Sequence, residues 1–478
     1  MKKPEKVVLL HTNDIHSSFQ VMPQVAGAIA RLRASHPAVP VIVADCGDHM
    51  DRMSTITEAG AGSAHLEVLE ATGYDVVTLG NNEGLTFTKE RLQELFGGGT
   101  TFCVVAANLR DRETGRAPEW MKPRLMWERN GLRIGITGAT AQYPIFYHLL
   151  GWHVDEPIEA LRREVDHLRQ EGAHAVVVLS HLGLRNDKRL AEEVEGIDVI
   201  IGGHTHHVLE EPLLHERTIL CAAGSKGRYV GELELSFDPD TGSLLQVEGR
   251  LHETRQEEED PAVKALIELW AQEAGAVMQE SIATLAEGLA VDWERDSPLG
   301  NLLAAGIRKQ TGAELALINS GQLLTSLLPG PVTREILLEL CPSPVNSCIT
   351  TLTGEELRQA LEESLMAEFV NLPLYGNGFR GKMLGGLCVD GLEIYWDPGR
   401  EPYSRITSVF HKGEPLLPDG EYRVATGDMF TFGTGYLSLK GRDPQYFLPD
   451  FLRHVLEMEL NDPEALRRCR MARFHLSP

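Results

Sequence analysis

Short β-branched runs recur through the first half of the chain: Val7–Leu10, Val41–Ala44, Val76–Leu79, Phe102–Ala106, Ile134–Thr137, Val176–Leu179 and Val199–Ile201. Segments with apolar residues at helical spacing, such as Ala26–Arg33 and Ile158–Gln170, lie between several of them. Strand and helix patterns that alternate in this way predict a layered α/β or α/β/α domain.

From about Gly224 the text changes. Tyr229–Phe237 reads as a strand, Asp238-Pro239-Asp240-Thr241-Gly242 as a turn, and Leu244–Glu248 as a second strand. A polar, acidic run from Glu253 to Asp260 follows and is closed by Pro261. Ile267, Trp270, Ala274, Val277 and Met278 then recur at helical spacing, which predicts one amphipathic helix over about Pro261–Gln279. The acidic run before it sits where a helix N-terminus favours negative charge, and a solvated face accounts for it fully. The remainder, Ser281–Pro478, has its own strands, helices and glycine-rich turns but no His/Asp clusters. The expected organisation is a first domain over 1–250, a linking helix over 251–280 and a second domain over 281–478.

Composition narrows the partners. With 478 residues, 42% of them hydrophobic and 24% charged, the chain can bury a sizeable core. Its 69 acidic and 45 basic side chains leave a net charge of -24. Such a chain is a poor match for a nucleic-acid duplex or an anionic membrane, so neither is expected as a partner. An anionic substrate would need something locally positive, and a metal cluster is the usual answer. The N-terminal Val7–Leu10 run is too short for a signal-peptide core, and no window approaches the ~18 apolar residues of a spanning helix. The seven cysteines are odd in number and contain no Cys-x-x-Cys pair, the usage of a reducing compartment. A cytoplasmic location is therefore expected.

The chemistry stands directly after the strands, where open α/β sheets place ligand sites. Val7–Leu10 leads into His11-Thr12-Asn13-Asp14-Ile15-His16, and Val41–Ala44 into Asp45-Cys46-Gly47-Asp48. Val76–Leu79 leads into Gly80-Asn81-Asn82-Glu83, Val176–Leu179 into Ser180-His181, and Val199–Ile201 into Gly202-Gly203-His204-Thr205-His206-His207. Carboxylate plus imidazole is a ligand set for zinc, manganese, iron or a similar divalent ion, not for calcium or a thiolate zinc. Each motif alone is weak, since Gly-Asp and Gly-Asn are common turns. Five in succession, each at a strand's end, make accident improbable.

The series Asp14-x-His16, Gly47-Asp48, Gly80-Asn81, His181 and Gly203-His204-x-His206 resembles the calcineurin-like metallophosphoesterases. In the second half, Ser297-Pro298-Leu299-Gly300-Asn301, Ile318-Asn319-Ser320-Gly321, Leu352-Thr353-Gly354-Glu355-Glu356-Leu357 and Gly433-Thr434-Gly435-Tyr436 resemble the C-terminal domain of the 5′-nucleotidase / UDP-sugar hydrolase family. The resemblance implies a four-layer α/β/β/α domain followed by a smaller α/β substrate domain. It implies two divalent ions (Mn, Zn, Co or Mg), one held by Asp14, His16 and His206, the other by Asn81, His181 and His204, with Asp48 bridging. It further implies hydrolysis of nucleotide phosphoesters or phosphoanhydrides, nucleotide sugars included, by a water activated between the ions and attacking phosphorus in line.

Two departures bear on substrate. The family's Gly-Asn-His-Glu motif is Gly80-Asn81-Asn82-Glu83 here, so Asn82 replaces a histidine implied to stabilise the transition state or protonate the leaving group. Asn82 can donate a hydrogen bond but cannot deliver a proton near pH 7. That shifts the expectation towards anhydrides such as nucleotide sugars or dinucleotides, whose leaving groups are less basic than an alkoxide, or towards slow monoesterase activity. The arginines that grip the substrate phosphate in the family are missing after Asn319-Ser320-Gly321; Arg308, Arg334 and Arg380 are the available replacements, with Arg380 ranked first. For base stacking the candidates are Phe379 with Phe430 or Phe432, with core packing as the competing explanation. His49, beside Asp48, is placed either to face the cluster or to hold its loop. Two other functions stay open: a 2′,3′-cyclic nucleotide phosphodiesterase on the same centre, and a nucleotide-binding or sensing protein with residual activity. Oligomeric state is not legible.

Overall fold

The computed structural model describes residues 5–376 and 378–477. The chain divides into two compact units, Met1–Gly275 and Ala276–Pro478, and the division falls inside a helix that runs Pro261–Met278.

In the first unit the β-branched runs form two sheets. The first has seven strands in the order Leu244–Glu253, Tyr229–Phe237, Glu5–Thr12, Val41–Asp45, Val76–Val77, Cys103–Val105, Met121–Lys122. From Glu5–Thr12 onward its neighbours are parallel, while Tyr229–Phe237 returns antiparallel to Glu5–Thr12. The second sheet has six strands in the order Leu213–His215, Thr218–Cys221, Val199–Gly202, Ala175–His181, Leu132–Thr140, Arg124–Arg129.

The two sheets pack face to face because alternate residues of each strand point to the same side. Val7, Leu9, Ile42, Ala44 and Val76 of the first sheet meet Ile134, Ile136, Val177, Leu179 and Ile201 of the second in one buried cluster. The intervening residues point outward and are covered by helices. Val176, Val178 and Ile200 pack against Leu161, Val165 and Leu168 of the helix Pro157–Gln170. On the other outer face Val8, Leu10 and Val43 are buried, as are Val25, Ile29 and Leu32 of the helix Met22–Ser35. The layers therefore run helix, sheet, sheet, helix, and parallel strands bring several strand ends to one rim.

The second unit is also α/β. A five-stranded sheet runs Leu387–Asp390, Leu315–Asn319, Glu421–Gly427, Asn346–Thr353, Arg442–Phe451, with a smaller sheet of four strands beside it in the same unit. The helix Pro298–Thr311 buries Leu299, Leu302, Leu303 and Ile307 in its core. The Leu352–Leu357 motif is the start of a helix: Thr353 Oγ1 accepts from the Glu356 amide at 3.2 Å, and Glu356 Oε2 accepts from the Thr353 amide at 2.7 Å. Among the described residues, no helix is long and apolar enough to cross a membrane.

Candidate metal centre

The loops after the first two strands are tied together by backbone. The Asp14 amide donates to Gly47 O at 3.0 Å, and the His16 amide donates to Asp48 O at 2.9 Å. The third loop fits only because two glycines meet. A Cβ on Gly80 would lie 2.1 Å from Asp48 Oδ1, and one on Gly47, whose φ is +82°, would lie 2.4 Å from the Gly80 nitrogen. Glycine in these motifs is thus required by close approach of one loop to the next.

Asp48 is held from several sides. Its Oδ1 accepts from the Asn82 amide at 2.7 Å. The Glu83 carboxylate accepts from the amides of Asp48 (3.0 Å), Gly80 (2.8 Å) and Met50 (2.8 Å), which clamps the second loop to the third. Asp14 is equally fixed: Asn13 Nδ2 donates to its Oδ2 at 2.7 Å, and the His204 amide donates to the same carboxylate at 3.0 Å. Asn13 also bonds Gly224 O and the Ala223 amide, so it joins the first strand's end to a segment more than two hundred residues away. The sequence marks Glu83 and Asn13 only by their position inside the motifs.

Two groups of side chains converge. Asp14, His16 and His206 form one, Asp48, His181 and His204 the other. The Nε2 atoms of His16 and His206 stand 3.0 Å apart, at 3.8 Å and 3.5 Å from Asp14 Oδ1. His181 Nε2 is 3.4 Å from Asp48 Oδ1, and His16 Nε2 is 3.9 Å from Asp48 Oδ2, so Asp48 reaches both groups. Asn81, at the start of the helix Asn81–Thr86, directs a buried Oδ1 that has no hydrogen-bond partner.

These donors fit cations. His181 Nδ1 donates to Cys46 O at 2.8 Å, which leaves Nε2 of the neutral ring as a lone pair, buried and without a hydrogen-bond partner. His181 Nε2, orphaned beside the Asp48 carboxylate, is what a metal would satisfy, and Asn81 Oδ1 is a second orphaned acceptor. Electrostatics agree. Burial opposes a charged His181, yet the Asp48 carboxylate outweighs it and lifts the ring to about 10, so without an ion a proton sits at Nε2 in the place that a bound cation would take. Burial and the neighbouring His181 push His204 down to about 4, so its ring stays neutral.

The backbone is strained around the same atoms. Asp14 (φ 51°), His16 (46°), Asp48 (49°), His204 (70°) and His206 (55°) all lie in the left-handed region. Each such non-glycine residue costs about 1–2 kcal/mol, and strain of this kind collects at functional sites.

The calcineurin-like phosphoesterase family matches residues 7–208, and the 5′-nucleotidase C-terminal domain matches residues 278–440. The chain is 33% identical over 461 residues to the uncharacterized metallophosphoesterase YunD of Bacillus subtilis, covering 95% of this chain and 99% of that one. The chain is a calcineurin-like metallophosphoesterase. It is 25% identical to a 5′-nucleotidase of Diplobatis ommata over 93% of this chain and 85% of that protein. The crystal structure of a 5′-nucleotidase precursor from Thermus thermophilus superposes with a TM-score of 0.60 at 25% identity, over 99% of this chain and 100% of that one. Metallophosphoesterases of this family use two divalent ions, and the chain is a metal-dependent phosphoester hydrolase with a 5′-nucleotidase-type second domain.

In this metallophosphoesterase Asn82 stands beside the centre. Its Nδ2 donates to Met50 O at 2.9 Å and lies 3.1 Å from His16 Nδ1. His49 makes its contacts elsewhere, 3.4 Å from Asp45 Oδ2 and with its ring edge-on to His65 and Tyr74.

In the second unit Asn319 is buried, donating to Leu384 O at 2.8 Å and accepting from Gln322. Gly321 lies so close to that segment that a Cβ would meet Met383 O at 2.1 Å. Phe379 and Phe430, 4% and 0% exposed, belong to the apolar core, whereas Phe432 is 44% exposed. The Arg380 amide donates to Ser343 Oγ at 3.1 Å, and the residue is partly exposed. Arg308 is paired with Asp390, and Arg334 with Glu280 and Glu457.

Proposed function

We propose that the chain hydrolyses nucleotides, with phosphoanhydrides such as nucleotide sugars preferred over nucleoside monophosphates. Asp14, His16 and His206 would hold one divalent ion and Asn81, His181 and His204 the other, with Asp48 between them. A bound pair supplies Lewis acidity towards the phosphoryl oxygens and an activated water. Around it, Cys46 O fixes the His181 tautomer, and Glu83 and Asn13 hold the two carboxylate loops in register.

The observation that carries the substrate preference is Asn82. Its amide sits next to His16 and can donate a hydrogen bond, but it has no proton to give at neutral pH. A pyrophosphate bond breaks to a weakly basic phosphate and needs little protonation; an alkoxide needs it most. The match of residues 278–440 to a 5′-nucleotidase C-terminal domain supports the nucleotide portion of the reading.

The test is a panel of a nucleoside monophosphate, a nucleotide sugar and a 2′,3′-cyclic nucleotide with the Mn2+-reconstituted protein. A kcat/KM at least about tenfold higher on the nucleotide sugar than on the monophosphate is expected, a fraction of the roughly 10²- to 10⁴-fold that general acid catalysis contributes. A higher value on the monophosphate overturns the preference. Turnover confined to the cyclic nucleotide replaces the reading with a phosphodiesterase.

A further inference from the structure

A cavity of about 340 Å³ in the first unit opens beside His204. Its walls come from three places: Gln142 and Tyr143 on the turn after the strand Leu132–Thr140, Glu156 and Pro157 at the start of the helix Pro157–Gln170, and Asn186 and Arg189 on the helix Leu184–Glu193. Since His204 belongs to the candidate centre, the cavity lies next to wherever a phosphoryl group would be held.

Charge in the lining is balanced. Glu156 contributes a carboxylate that caps its own helix by accepting from the Glu159 amide at 2.8 Å. The Arg189 guanidinium is taken up by Glu193 at 3.0 Å. Glu156 and Arg189 cancel in charge, so the lining offers a second phosphate no net attraction. What remains is polar and neutral: the Gln142 amide, the Asn186 amide and the Tyr143 hydroxyl, with the Tyr143 ring and Ile158 as apolar surface. Burial, with the nearby Asp48 charge, keeps the Tyr143 phenol in its neutral, donating form. Amides and a phenol around an apolar face suit a ligand whose rim is hydroxyl and whose faces are C–H. The volume stands at the low end of the roughly 300–1,000 Å³ of small-molecule sites, which suits one sugar ring rather than a dinucleotide.

We propose that this cavity binds the neutral hydroxylated part, a pentose or hexose, of a phosphoester whose phosphoryl group is held at the centre. Gln142 and Tyr143 then set specificity for sugar-bearing leaving groups. The proposal rests on the reading of the centre as a phosphoester hydrolase and adds a subsite to it.

The experiment compares the full-length Mn2+-loaded protein with Gln142→Ala and Tyr143→Ala on ribose 5-phosphate and p-nitrophenyl phosphate. The ratio of kcat/KM for the sugar ester to that for the aryl ester should fall about 5- to 10-fold in each variant, the loss of one or two neutral hydrogen bonds, with the change in KM. In parallel, saturation-transfer NMR on the metal-free protein should show transfer to the ribose protons of ribose 5-phosphate that both variants lose. An unchanged ratio with turnover of both esters overturns the cavity alone. Absence of transfer in the wild type does the same. A wild type that turns over p-nitrophenyl phosphate but not ribose 5-phosphate overturns the cavity, and one that turns over neither ester nor a nucleotide sugar overturns the hydrolase reading as well.

Discussion

The left-handed backbone at the centre makes an unusual demand on mutagenesis: at His206, glycine should be a better replacement than alanine. His206 has φ 55° and a side chain 44% exposed, so little packing is lost on truncation. Alanine keeps the Cβ that clashes in this region, at a cost of about 1–2 kcal/mol; glycine removes it. Part of the relief is offset by the greater freedom of glycine in the unfolded chain, about 0.4–1 kcal/mol. His206→Gly should therefore be more stable than His206→Ala by about 1 kcal/mol, while both lose the candidate ligand. Urea unfolding in EDTA, followed by tryptophan fluorescence, measures the difference without any contribution from metal. Arg163, exposed within the helix Pro157–Gln170, supplies the opposite sign: there alanine should exceed glycine by about 1 kcal/mol. If alanine equals or exceeds glycine at both positions, the backbone at His206 is not held in the strained form, and the account of the centre as a strained cradle is wrong.

Three further outcomes are expected. Asp48→Ala should lower turnover by more than about 10²-fold and reduce bound metal, because the carboxylate reaches both groups; a full two-ion complement by elemental analysis would remove Asp48 from its assigned position. Glu232 is buried, which disfavours its charge, but Arg250, His252 and His36 each bond it at 2.7 Å and hold it at about 2. A lowered carboxylate contributes stability above its ordinary 4.5 and loses it as pH falls towards 2. The stability advantage of wild type over Glu232→Gln should accordingly shrink by about 1–2 kcal/mol between pH 6 and pH 3, allowing for screening at exposed Arg250, and a pH-independent difference would contradict the assignment. Asn82→His should raise the rate on a nucleoside monophosphate by up to about 10²-fold and on p-nitrophenyl phosphate far less. Equal gains would point to charge stabilisation, and a loss on both would mean that the present contacts of Asn82 to Met50 and His16 are themselves needed.

Much of the first unit is legible in the sequence because the runs that form its strands are short, apolar and punctuated by chemistry. Asp14, Asp48, Asn81, His181 and His204 all follow such a run, and parallel strands bring their ends together. The pairing of the sheets is less legible. Tyr229–Phe237 reads as a strand, yet nothing local says that it lies against Glu5–Thr12, more than two hundred residues earlier. Glu83 escapes notice because its partners are backbone amides, and any residue type supplies those. The left-handed backbone of the candidate ligands escapes for a similar reason: Asp and His carry no mark of their φ. In the second unit a phenylalanine in a glycine-rich stretch reads equally well as core or as a platform for a base, and only burial distinguishes Phe430 from Phe432.

Each candidate metal group draws on both sheets. Asp14 and His16 follow a strand of the first and His206 a strand of the second; Asp48 comes from the first, His181 and His204 from the second. An ion in either position would rivet one layer to the other, so its affinity reports whether the layers are assembled, not merely whether the ligands exist. A chain cut after His206 would keep all seven candidate ligands. It would lack Tyr229–Phe237 and Leu244–Glu253, the strands that complete the first sheet, and the Ala223–Gly224 backbone that anchors Asn13. During synthesis the ligands therefore emerge before the layer that orients Asp14 is complete, and owning the ligands precedes owning the site.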